Sequence, residues 1–239
     1  MEAYKNSSRI LVALDCIIFG FDGETLKLLL IKRNFEPEFG KWSLMGGFVE
    51  ENEDLQDAAT RILFTLTGLQ NNYLEQLHTF GAVNRDPVER TISVGYYSLV
   101  NIADQDPNTL RAHNASWIEL KRVPKLIFDH DDMVDLALKR LRYKAALYPI
   151  GFELLPEKFT IPQLQKLYEA IYDVQLDRRN FRRKILATDL LLETGEKDLT
   201  SVTKKGQLYS LNLEKYPDYQ KYLNGFYAFL PELAAFVPA

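Results

Sequence analysis

The sequence predicts an α+β chain in two unequal parts: a mixed sheet-and-helix domain over residues 1–150 and a smaller helix-and-ribbon domain over 151–239. Three observations predict it. Residues 10–20 and 26–32 are apolar runs separated by Asp22-Gly23, a hairpin-type turn signal. Leu55, Ala58, Ala59, Ile62, Leu63 and Leu66 recur at helical spacing, and Gly68 supplies a stop. Past Pro149 and Gly151 the pattern becomes short capped helices followed by an alternating strand.

The remaining elements follow in order. Residues 91–100 alternate, with Ile92, Val94 and Tyr96 on one face of a strand, and Trp117-Ile118 marks another. A helix covers Asp131 to Leu147 with Val134, Ala137, Leu138 and Leu141 as its apolar stripe. Thr160 reads as the N-cap of a helix that has Pro162 in its first turn and carries Leu164, Leu167, Tyr168 and Ile171. After a connector from Asp173 to Leu176, Asp177 caps a second helix that buries Phe181, Ile185 and Leu186. An excursion from Gly195 to Gly206 leads to the strand Leu208 to Leu211. Helix, short turn, helix and ribbon is the order of a winged helix-turn-helix domain.

Composition narrows the function classes. With 239 residues, 46% apolar and 26% charged, the chain builds an ordinary core, and disordered or collagen-like classes are excluded. The single cysteine, Cys16, excludes an internal disulfide framework and a thiolate-rich zinc site, and its apolar neighbours predict a buried structural thiol. No run approaches the roughly 20 apolar residues of a membrane span, and Met1 to Arg9 lack a secretory h-region, so the chain reads as cytoplasmic with no membrane partner. The net charge of −4 gives no global pull on nucleic acid, so such a role must rest on a local patch.

That patch exists. Arg178-Arg179-Asn180-Phe181-Arg182-Arg183-Lys184 holds five cations and no anion. Residues 151–239 as a whole carry 12 basic and 12 acidic residues, so the positive charge is concentrated on one helix. Arginine suits bidentate contact with guanine edges and phosphates, and Asn180 suits adenine. A solvated basic face is the ordinary fate of a charge run. Its position on the second helix, with Lys204 and Lys205 in the following wing, points to double-stranded DNA. The expected DNA-binding residues are Arg178, Arg179, Asn180, Arg182, Arg183, Lys184, Lys204 and Lys205.

A second motif lies in the first part. Trp42-Ser43-Leu44-Met45-Gly46-Gly47 leads into Glu53, Arg61, Leu63, Gly68 and Leu69 in a fixed frame from Gly47. This resembles the Nudix box: Gly, five residues, Glu, seven residues, then Arg-Glu-apolar-x-Glu-Glu-x-Gly-apolar. Met45 departs from the proline common in that approach. The three helix glutamates of the family, which hold magnesium against a pyrophosphate, fall on Ile62, Thr65 and Leu66. The hydrolase is therefore expected to be inactive, with Glu53 and Arg61 retained for architecture and no metal or other cofactor held. Glu50, Glu51 and Asp57 are the only substitute ligands in view, and solvated surface charge is their simpler reading.

Both halves together, including Phe159 to Glu169 and Asp177 to Lys184, resemble the Nudix-related transcriptional regulators. The resemblance implies a Nudix-type mixed α/β/α sandwich over 1–150 for effector binding and dimerisation, and a winged helix-turn-helix domain over 151–239. It further implies a homodimeric repressor on a palindromic operator, released by a small molecule. Branches of that family answer to pentoses such as L-arabinose or to ADP-ribose-type NAD metabolites. The eroded box resembles the pentose branch, giving regulation of sugar catabolism as the expectation and NAD metabolism as the alternative. An active pyrophosphohydrolase with relocated ligands is a reading of another class. Arg33, Asn34, Trp42, Glu53 and Arg85, on loops and strand ends, are the expected effector contacts, each with a plainer role in a turn, core or surface. His130, among Asp129, Asp131 and Asp132, reads as helix capping and dipole complementarity, with no metal site.

Overall fold

The computed structural model describes residues 7–70, 74–147, 151–199, 206–212 and 214. Lys204 and Lys205 lie outside the described residues, as do residues 148–150 at the expected domain junction.

The centre of the first part is β1, Leu11–Phe21. It runs parallel to β6, Thr91–Asn101, over its whole length. On its other edge it forks: Ala13 to Cys16 pair with β4, Met45–Phe48, and Phe19 to Phe21 pair with β2, Leu26–Lys32. β5, Glu75–Phe80, extends the sheet beyond β6, while β3, Trp42–Ser43, and β7, Ala115–Glu119, both pair with β2. The fork leaves β2 and β4 diverging from one strand, and a cleft opens between them.

The period-two alternation of β1 sorts its side chains to opposite sides. Leu14, Cys16 and Ile18 pack against Ala58, Ala59, Ile62 and Leu63 of α1, Leu55–Thr67. Ile17, Phe19 and Phe21 face Met133, Val134, Ala137 and Leu141 of α3, His130–Leu147. A helix on each face of a mixed sheet is the α/β/α sandwich expected. Because both faces are covered, β6 does not present one wet face; all but Ile92 and Leu99 of its residues are buried. Local chemistry ends α1 as its sequence requires. Asp54 accepts from the Gln56 and Asp57 N–H groups, and Gly68 closes the helix at φ 74°. A short helix α2, Pro107–Ala112, precedes β7.

Helix α4, Ile161–Tyr172, opens with a full capping box between Thr160 and Gln163. Helix α5, Arg178–Leu186, is capped by Asp177. Phe181 and Ile185 are buried as expected, while Leu186 is only partly covered. The ribbon pairs β8, Leu191–Lys197, with β9, Gln207–Leu211. The expected excursion thus begins later than Gly195, since β8 continues through that glycine, which adopts φ 75°.

The α3 side of the sheet does not end at the expected junction. Phe19, Leu28, Met133 and Leu141 belong to one apolar cluster with Leu155, Phe159, Leu164, Leu167 and Ile171. Arg142 Nε donates to the Ile171 carbonyl at 2.8 Å, and the Tyr172 hydroxyl donates to the Arg142 carbonyl at 2.8 Å. Lys166–Glu24 and Lys121–Asp173 ion pairs span the same seam.

Candidate effector cleft and nucleic-acid face

The fork in β1 shapes a cleft of about 270 Å³ lined by residues from β1, the loop after β2, β4 and the start of α3. Its polar floor is built around Asp15, the only ionisable side chain within the apolar body of β1 apart from the buried thiol. A buried carboxylate needs partners. The Ser93 hydroxyl donates to Asp15 at 2.6 Å and Arg85 Nη2 approaches it at 3.4 Å. Gly46 allows this approach, since a Cβ there would stand 2.4 Å from the Asp15 carboxylate.

Arg85 also forks onto Asp129, with Nε and Nη2 at 3.0 and 2.8 Å from its two oxygens. His130 completes the floor. The Leu44 N–H donates to His130 Nδ1 at 3.2 Å, which leaves the proton of the neutral ring on Nε2, 3.5 Å from Asp15. Burial pushes the imidazole pKa down, against the pull of Asp15 and Asp129, and keeps the ring neutral. His130 is therefore a buried part of the cleft and not a helix cap. Asp131, two residues after Asp129, accepts the Leu126 N–H instead. Burial also pushes the Cys16 thiol up, as expected for a structural cysteine.

The cleft mouth is aromatic and cationic. Arg33 lies over the Phe35 ring at 3.8 Å, and Phe35, Phe48 and Phe128 line the same space. Phe35 and Phe48 are more than half exposed. Phe128 holds φ 50°, a left-handed conformation that costs a bulky residue on the order of 1–3 kcal/mol.

Of the expected effector contacts, Arg33, Asn34 and Arg85 line this cleft. Trp42 and Glu53 do not. Strand alternation puts Ser43 into the cleft and turns Trp42 the other way, onto the α3-side core with Lys32 above its ring. Glu53 is held by Arg61 through two bonds of 2.8 and 2.5 Å, and Arg61 also donates to the Phe48 carbonyl. That clamp supports the loop before α1, as the sequence reading expects. Asp15, His130 and the three phenylalanines were not foreseen. A lone carboxylate in an apolar strand was the available signal for Asp15.

The Arg61 guanidinium, aided by the Glu50 N–H, lowers the Glu53 carboxyl to about 2. A depressed folded pKa stabilises the native state above its ordinary value of 4.5 and loses that stabilisation as pH falls towards 2. Glu53→Gln is expected to melt below the parent at neutral pH and to converge with it across that acid window. Parallel melting curves at every pH would contradict the clamp.

The donor set does not suit a divalent cation. Ile62 is buried beneath Gly47, Leu66 lines the cleft and Thr65 is exposed, while Glu53 is committed to Arg61. Among the described residues, no group of three His, Cys, Asp or Glu is arranged to hold a metal ion. A hard cation requires several oxygen ligands, which this helix face lacks.

On the second part, Arg178, Arg179, Arg182 and Arg183 of α5 are exposed, opposite buried Phe181 and Ile185. Arg183 Nη2 donates to the Asn180 side-chain oxygen at 2.8 Å, which orients both side chains, and Lys184 is half-buried.

The model of the NUDIX domain matches residues 9–137, and that of the NrtR DNA-binding winged helix domain matches residues 151–211. An ADPR responsive transcriptional repressor, NtrR, of Acinetobacter baylyi is 32% identical over 210 residues, covering 86% of this chain and 84% of that protein. The chain belongs to the Nudix-related transcriptional regulators. Shewanella oneidensis NrtR complexed with a 27mer DNA superposes with a TM-score of 0.72 at 30% identity, covering 88% of this regulator and 96% of that chain. An ADP-ribose pyrophosphatase of Methanocaldococcus jannaschii is 35% identical over 138 residues, 56% of this regulator and 76% of that enzyme. The pentose expected from the eroded box finds no support among these relatives. They stand on the side of the ADP-ribose alternative.

Proposed function

We propose that the chain is a homodimeric DNA-binding repressor whose Nudix domain senses ADP-ribose without hydrolysing it. Residues 1–150 would bind effector and form the dimer; residues 151–239 would bind a palindromic operator in the cytoplasm. Among the described residues no helix is long and apolar enough to cross a membrane.

The observation that carries the effector reading is the pairing in one cleft of two guanidinium groups, Arg33 and Arg85, with exposed aromatic rings. Guanidinium forks match phosphate oxygens, and aromatic faces stack on a purine. An uncharged pentose can accept hydrogen bonds from a guanidinium but brings no charge to pair with it, and the Acinetobacter relative is itself named as ADPR responsive. The basic α5 and the DNA complex of the Shewanella relative support the DNA reading.

Hydrolysis is the second reading, favoured by likeness to the Methanocaldococcus pyrophosphatase. Apolar Ile62 and Leu66 weigh against it, because neither can hold the metal that would stabilise a leaving phosphate. Incubation with ADP-ribose and magnesium is expected to return the nucleotide sugar intact. Release of AMP at ordinary enzymatic rates, on the order of 10 per second, would establish the enzyme instead. Light scattering at micromolar concentration is expected to give a dimer, which two operator half-sites require; a monomer that still binds DNA tightly would remove that part of the proposal.

A further inference from the structure

We propose that Asp129 is the residue through which an anionic ligand in the cleft acts on the DNA-binding half. The inference rests on the reading that ADP-ribose occupies this cleft, and it adds how occupancy is transmitted.

Arg85 lines the cleft, whereas Asp129 stands behind it and does not. The two side chains meet fork to fork at 3.0 and 2.8 Å. Asp129 takes the Nε and Nη2 donors of Arg85, so a phosphate that pairs with the guanidinium through Nη2 competes with Asp129 for that donor, and its charge weakens the hold of Arg85 on the carboxylate. An uncharged sugar competes far less. Of the two carboxylates that Arg85 faces, Asp129 holds it by the shorter, two-bonded contact and stands outside the cleft lining, whereas Asp15 is also held by Ser93.

That carboxylate sits at the root of α3. The Asp129 carbonyl accepts the Met133 N–H at 3.2 Å in the first turn, and His130 is the first helical residue. Phe128, just before it, holds φ 50°, a conformation that a bulky residue keeps only while its surroundings dictate it. Releasing Asp129 removes one of those constraints. The other end of α3 is fastened to α4 by the Arg142–Ile171 and Tyr172–Arg142 hydrogen bonds. Met133, Val134, Ala137 and Leu141 share a packed cluster with Leu164, Leu167 and Ile171. Helix α4 in turn packs on α5 through Tyr168 and Phe181, whose rings are 6.0 Å apart. A close-packed helix moves as a unit, so a shift at its first turn reaches the basic helix through this chain of contacts.

The test uses full-length protein, ADP-ribose and a duplex the protein selects from a random pool. In the parent, ADP-ribose is expected to lower DNA affinity by about 5- to 150-fold. Asp129→Asn keeps the side-chain shape and removes the charge. It is expected to bind ADP-ribose at least as tightly as the parent by calorimetry, because Arg85 no longer has a charged competitor. Its DNA affinity without ligand should fall towards that of the liganded parent, and ligand should then change it by less than about twofold. Should Asp129→Asn fail to fold, Arg142→Met removes the side-chain bond to the Ile171 carbonyl, keeps the main-chain acceptor of Tyr172 and leaves the cleft intact; ligand binding should persist and the response weaken. Parent-like DNA affinity and a full response in Asp129→Asn, or in Arg142→Met where it stands in, overturn this proposal alone. A parent that does not bind ADP-ribose overturns the effector reading and this proposal together.

Discussion

Arg85→Met is expected to destabilise the protein by about 3–5 kcal/mol, the usual cost of leaving a buried charge without its partner. Arg85 is 7% exposed and faces two carboxylates, Asp15 and Asp129. Methionine fills much of the volume but neutralises neither, so both must be repaired by protonation, by water or by local opening. Across a chain of this size the loss lowers the melting temperature by on the order of 10 °C. The same substitution should abolish ADP-ribose binding at concentrations that saturate the parent, because one of the two cleft cations is gone. Arg85→Lys keeps the charge but not the fork, and should retain more stability than affinity. A methionine variant that melts with the parent and binds ADP-ribose equally would refute the assigned floor of the cleft.

Arg182→Glu is expected to lower DNA affinity by more than about tenfold per half-site, since a lost phosphate or base contact costs roughly 1–3 kcal/mol and the new carboxylate adds repulsion. The fold should not suffer. Arg182 is exposed, α5 is anchored by Phe181 and Ile185, and a glutamate four residues after Arg178 gains an opposite charge on the helix. Unchanged melting with lost DNA binding therefore isolates the contact. Arg183→Glu should behave similarly, although it also breaks the bond to Asn180. Lys204→Ala in the expected wing should weaken binding to all sequences alike and reduce the salt slope by roughly one unit. If Arg182→Glu binds the duplex as tightly as the parent, α5 is not the reading helix.

What was legible in the sequence was local. The helix stop at Gly68, the caps at Thr160 and Asp177 and the apolar stripes of α1, α3, α4 and α5 depend on neighbours within a turn or two, and the structure carries them, with Leu186 of α5 only partly covered. The Nudix frame was legible because its spacing is fixed. The cleft was not, because it is assembled from distant segments: Leu44 meets His130 across 86 residues, and Ser93 meets Asp15 across 78. Read along the chain, His130 had only aspartates beside it and looked like a cap. Trp42 and Glu53 were placed by proximity to the motif, but strand alternation and the Arg61 clamp turn both away from the ligand space. Strand β5 escaped notice because Glu75, Gln76 and His78 interrupt its apolar pattern at the sheet edge.

The pentose expectation lacks support for a related reason. Loss of three carboxylates from α1 argues against a bound metal, and it says nothing about cations supplied from elsewhere. Arg33 and Arg85 come from the loop after β2 and the loop before β6, and both line the cleft, which is the basis of the proposed phosphate contact.

The most direct measurement is fluorescence anisotropy of the selected duplex bound to full-length protein, titrated in parallel with ADP-ribose and with L-arabinose. The expected result is release by ADP-ribose, with the dissociation constant for DNA raised about 5- to 150-fold, the ADP-ribose recovered intact and no response to L-arabinose. Release by L-arabinose with no effect of ADP-ribose would contradict it.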